Sequence, residues 1–109
     1  MEPVSLHRVA EERSRALHAL IAERLVREPE LLERARARVA GWGSTGSVAA
    51  PYVERWAALL SGPLESLLAL LADPSEGACE LRQVSPFAGA IDPRTRWRVW
   101  ERVRRELGR

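Results

Sequence analysis

Leu64-Glu65-Ser66-Leu67-Leu68-Ala69-Leu70-Leu71-Ala72, followed at once by Asp73-Pro74-Ser75-Glu76, decides how the chain folds. Leucines at 64, 67, 68, 70 and 71 recur at helical spacing and cover nearly the whole circumference of a helix. A helix apolar all round has no solvent side, so it belongs at the centre of a fold. Pro63 opens it. The next four residues offer an N-cap acid, a first-turn proline and a carboxylate three positions after the cap, the pattern of a capping box. A second, short helix is therefore expected right after the first, using Ala78, Leu81 and Val84 as its apolar face.

The same two signals repeat outward in both directions. Towards the C-terminus, Ser85-Pro86 ends the short helix, because a residue before proline avoids the helical region. Asp92-Pro93 then caps a last helix reaching about Leu107, with Trp97, Trp100, Val103 (or Arg104) and Leu107 on one side. Towards the N-terminus, Tyr52, Val53, Trp56, Leu59 and Leu60 form a helix with Pro51 in its first turn and Gly62 at its end. Before it, Pro29 starts a helix whose apolar residues are Leu31, Leu32, Ala35 and Val39. Gly41 is expected to stop that helix, leaving residues 41–47 as a flexible loop. The first helix begins after Pro3, with Ser5 as a cap, and runs to about Arg27. Its stripe is Leu6, Val9 or Ala10, Leu17, Leu20, Ile21 and Leu25. No segment alternates apolar and polar residues long enough to read as a strand. The expected fold is all-α, a compact bundle of about six short helices forming one domain over residues 1–109.

Composition narrows the class. The 109 residues include 17 arginines and no lysine, with 15 carboxylates and one cysteine. An apolar fraction of 46% beside 29% charge is that of a globular domain rather than a disordered chain. One cysteine makes no internal disulfide and no cysteine-rich zinc site. The longest uncharged stretch, Val39 to Val53, is too rich in Gly, Ser and Pro to span a bilayer, and no secretory leader is visible. A cytoplasmic location without membrane attachment is expected.

The charge is uneven. Residues 93–109 hold seven arginines (Arg94, Arg96, Arg98, Arg102, Arg104, Arg105, Arg109) against Glu101 and Glu106, a balance of +5. The first 92 residues hold ten arginines against thirteen carboxylates, a balance of −3. A basic end of this kind attracts acidic protein surfaces or nucleic acid through its summed field. Arginine suits that task, since its fork grips carboxylate or phosphate at two points.

Motifs for small-molecule chemistry fail on context. Gly41-x-Gly43-x-x-Gly46 spells the dinucleotide fingerprint but follows a helix instead of a strand, and Ser47 stands where a phosphate loop needs lysine. His7 and His18 share a helix face about 16 Å apart at 1.5 Å per residue, too far for one metal, and read as surface or cap residues. Cys79 has no local base and reads as a small buried hydrophobe. The carboxylates sit at pairing distance from arginines along the helices, as in Glu23–Arg27 and Glu30–Arg34. With no convergent acid, base or nucleophile, the expectation is a non-enzymatic protein without cofactors.

Residues 81–89, Leu81-Arg82-Gln83-Val84-Ser85-Pro86-Phe87-Ala88-Gly89, followed by Arg96-Trp97, are similar to the LRQ-x-SPFAG string and its trailing R-W. That string closes a family of bacterial antitoxin-like helical proteins and transcriptional regulators. The histidine-bearing first helix, the Arg34–Val39 segment and Tyr52/Trp56-Leu59-Leu60 look similar too, so the resemblance covers most of the chain. It implies neutralisation of a partner toxin, often a nucleotidyltransferase-like enzyme. Relatives often carry a leading DNA-binding helix-turn-helix domain; no such pair can be placed in these residues. The expected partner-contact residues are Arg82, Gln83 and Ser85 in the corner, with Arg94, Arg96, Arg98, Arg102 and Arg105 on the last helix. The alternative is a nucleic-acid-binding regulator acting as a homodimer. Independently of any family, Pro86 fixes the corner's turn, Phe87 is expected to plug the core, and Gly89 supplies a tight approach or positive φ before Asp92.

Overall fold

The computed structural model describes residues 6–108, and among them six α-helices and no strand. They are α1 (Leu6–Arg27), α2 (Glu30–Thr45), α3 (Ala50–Ser61), α4 (Leu64–Ala72), α5 (Glu76–Arg82) and α6 (Pro93–Leu107). The expected start at Pro3 and Ser5 lies outside the described residues.

α1 is the hub. It packs against α4, α5 and α6, while α2 lies on α3 and α4 joins the two groups. The core runs from Ile21 and Leu25 of α1, through Leu31, Ala35 and Val39 of α2, to Trp56 and Leu60 of α3. Leu67, Leu70 and Leu71 complete it from α4, with Ala78 and Leu81 from α5 and then Phe87 and Ile91. The leucine helix is central, as its composition dictates, though Leu64 is 38% exposed at its first turn.

Boundaries differ from the sequence expectation at the end of α2 and at both ends of α5, which closes at Arg82 and leaves Val84 outside it. Gly41 does not stop α2, which continues to Thr45, so five of the seven residues expected to form a loop are helical. The reason is tertiary. Trp42 lies three residues after buried Val39, on the same face, and packs on the core. Each interior glycine costs about 1 kcal/mol of helix propensity, less than burying most of an indole returns. The stop comes at Gly46, whose φ of 69° is left-handed and whose N–H donates to the Trp42 carbonyl at 3.0 Å. The second difference is at α5, where Ser75 and not Asp73 is the N-cap. Its Oγ accepts the Ala78 N–H at 3.3 Å, and Asp73 Oδ1 accepts the Ser75 N–H at 2.8 Å. Asp92 caps α6 as expected, accepting the Thr95 N–H at 3.0 Å and the Thr95 hydroxyl at 2.7 Å.

Arginines close helix ends from a distance. Arg36 of α2 donates through Nε and Nη2 to the Leu60 carbonyl in the last turn of α3, at 3.0 and 2.8 Å. Arg82 does the same for Leu70 in α4, at 2.7 Å. The Leu60 carbonyl lies in an unsatisfied last turn and the Leu70 carbonyl has only the Asp73 N–H at 3.3 Å; both lie at the negative end of a helix dipole, which a guanidinium answers. Arginine–glutamate pairs within helices among the described residues are Glu12–Arg15, Glu33–Arg36, Glu101–Arg104 and Arg102–Glu106, and neither Glu23–Arg27 nor Glu30–Arg34 forms.

Candidate functional site: an arginine-lined cleft and a basic outer face

The residues expected to touch a partner separate into two places. α6 buries Val99 and Val103 against α1, not the face built on Trp97 and Trp100. Trp97 is therefore 59% exposed, while Trp100 is half-buried, so the expected stripe through both tryptophans is not the buried face. At about 100° per residue, Arg94, Arg98 and Arg105 line up opposite the two valines, with Arg102 to one side. Trp97 flanks them on the other. Arg94, Arg98 and Arg105 have no carboxylate within 4.0 Å among the described residues, while Arg102 meets Glu106 only at 3.9 Å. A band of free cations with an indole at its edge thus faces solvent.

Arg96 points the other way. With Arg82, Gln83 and Ser85 it lines a cleft of about 470 Å³ between α1, the 82–88 corner and α6. α1 supplies Arg13, Ser14, Leu17, His18 and Ile21, and α6 adds Trp100. Arg82 is not the open contact residue that its sequence position implied. It is 2% exposed, held by the Leu70 carbonyl and by Cys79 Sγ at 3.3 Å.

The corner is fixed by a hydrogen-bonded chain. His18, expected at the surface, is 4% exposed. Its Nδ1 lies 2.7 Å from the Ser14 carbonyl, which can only accept, so Nδ1 carries the proton. Nε2 is then the acceptor for the Ser85 hydroxyl at 2.8 Å, and Ser85 Oγ in turn accepts the Phe87 N–H at 3.2 Å. Burial lowers the His18 pKa from its ordinary 6.5, the Ser14 hydrogen bond opposes that, and the nearby Arg82 charge adds to it. His18 is thereby kept neutral and ties α1 to the corner. His7, by contrast, sits on the surface 2.7 Å from Glu11.

Phe87 seats as expected, 4% exposed and edge-on to the fully buried Trp56 ring at 6.1 Å and 78°. Trp56 also donates its indole N–H to the Leu81 carbonyl at 3.3 Å. Gly89 has a φ of 84°, the conformation the corner needs before Asp92.

No known protein family, curated protein or solved structure matches the chain. Chemistry must therefore be read from the side chains. No group of three or more His, Cys, Asp or Glu able to hold a metal occurs among the described residues. No described helix is long and apolar enough to cross a membrane. Arg13 and Trp100 were missed as cleft residues because each reads, on its own helix, as an ordinary polar or apolar position; only the α1–α6 contact brings them together.

Proposed function

We propose that this protein is a non-enzymatic, antitoxin-like module that covers an acidic surface of a partner enzyme with the outer face of α6. The observation that carries the reading is the band of Arg94, Arg98 and Arg105, none ion-paired, beside the exposed Trp97. Arg15 and Arg36, on other helices, each pair with a glutamate three residues away. Aromatic and arginine side chains in one patch are the composition of interface hot spots, and complementary charge orients the encounter. The LRQ-x-SPFAG string supports the same class, with a nucleotidyltransferase-like toxin as the partner and the cytoplasm as the place of contact. Glu101 and Glu106 on α6 dilute the positive field that a duplex-binding helix would concentrate, which favours a protein partner over nucleic acid.

Co-expression with the product of the neighbouring gene tests this. The two proteins are expected to co-purify, and the double variant Arg98→Glu, Arg105→Glu to lose the partner while keeping its thermal midpoint. A complex that survives the reversal places the contact elsewhere. Duplex DNA binding by the isolated protein that falls steeply with salt, and is abolished by the same reversal, would replace the toxin-binding reading with the regulator one.

A further inference from the structure

The cleft behind α6 holds three cations that the partner-binding face does not use. Arg13, Arg82 and Arg96 all line it, and no Asp or Glu does. Each of the three has a buried Nε with no hydrogen-bond partner. Arg82 spends its terminal nitrogens on Leu70 and Cys79 and forms no ion pair with a described residue. Arg13 is held over the Trp100 ring, 5.2 Å from its centroid, and Arg96 forms no ion pair. Guanidiniums that line one cleft without a counter-charge are costly to desolvate, and their forks match tetrahedral oxyanions. Leu17, Phe87 and Trp100 give the walls an apolar share beside polar Ser14, His18, Gln83 and Ser85. The volume of about 470 Å³ is that of a small-ligand site, larger than a bare phosphate needs.

We infer that this cleft binds a small phosphate monoester, its phosphate held by Arg13 and Arg96 over the buried Arg82 and its apolar or aromatic body against Leu17, Phe87 and Trp100. A dianionic phosphate answers three guanidiniums better than a carboxylate, which brings one charge and two oxygens. Arg96 lies on the opposite side of α6 from Arg94, Arg98 and Arg105, so this site and the proposed partner face are separate and can fail separately.

Phenyl phosphate is the probe, titrated calorimetrically and by the Nε–Hε signals of ¹⁵N-labelled arginine. One saturable site is expected, with the Arg13 and Arg96 signals shifting. Arg13→Gln and Arg96→Gln should each weaken binding at least tenfold, the loss of one charge-assisted hydrogen bond. The outer-face variant Arg98→Gln should bind as the parent does. Inorganic phosphate should bind more weakly than phenyl phosphate, and benzyl alcohol not at all. Unchanged affinity in both cleft variants would overturn the site. Benzoate binding as tightly as phenyl phosphate would overturn the phosphate assignment, and inorganic phosphate matching phenyl phosphate would overturn the apolar half. Arg82 is left intact throughout, because its removal would also free the Leu70 carbonyl.

Discussion

Phe87 and His18 fill neighbouring positions of the fold and report on it differently. Phe87 packs its edge on Trp56 with no polar atom to satisfy, so Phe87→Ala removes contact and leaves a void. A loss of about 3–5 kcal/mol is expected, read as a lower denaturation midpoint with an unchanged slope. His18 acts through its proton. Its folded pKa lies below the unfolded 6.5, so acid favours the unfolded chain, which binds the proton more readily. Stability should be full above about pH 6.5 and decline as pH falls below it, until the folded pKa is reached. His18→Gln should flatten that decline in thermal scans. Asp73 and Asp92, whose hydrogen bonds lower their pKa values from 3.8, act in a separate window: their support persists above pH 3.8 and fades below it. The sequence marked Phe87 because it is the single phenylalanine beside a turn-forming proline. It hid His18, because the partner that buries it, Ser85, lies 67 residues away.

At the level of helices, legibility followed local chemistry. Proline and capping signals placed five of the starts within about a residue or two, since caps act through neighbours in sequence. The end of α2 departs from the glycine signal because the indole of Trp42, between Gly41 and Gly43, packs on the core only once the helices assemble. The residue that does end it can be tested. Gly46 is the left-handed cap, and a Cβ there would meet no neighbour, so Gly46→Ala isolates backbone strain. It should cost about 1–2 kcal/mol. Gly41→Ala, within the helix and equally open, should instead stabilise by up to about 1 kcal/mol. Equal effects at the two positions would mean that α2 ends elsewhere. The face of α6 differs for a related reason: the expected stripe holds Val103 but runs through Trp97 instead of Val99, whereas the helix buries Val99 and Val103.

Across the molecule, the dimensions of 46 × 29 × 24 Å reflect a division of labour. α2 and α3 form one end with their own shared face, and α1 links that end, through α4, to the cleft and to α6. Composition announced the basic tail, but only the assembled helices separate its arginines into an outward band and an inward-facing member. The two proposed sites, one for a partner protein and one for a phosphate monoester, both rest on that separation.

α6 rests on α1 through Val99 and Val103, and neither valine belongs to the continuous apolar cluster that runs from Ile21 to Ile91. The terminal rod is moored through its interface with α1, apart from that cluster, and its opening is expected to precede that of the remaining five helices. Amide hydrogens of residues 97–107 should then exchange with solvent at a lower opening free energy than those of Leu67–Leu71, and uniform exchange across both would show a single cooperative unit. Because Trp100 and Arg96 would leave with it, each such excursion dismantles one wall of the cleft, and whatever occupies that space would act as a latch on the hinged segment.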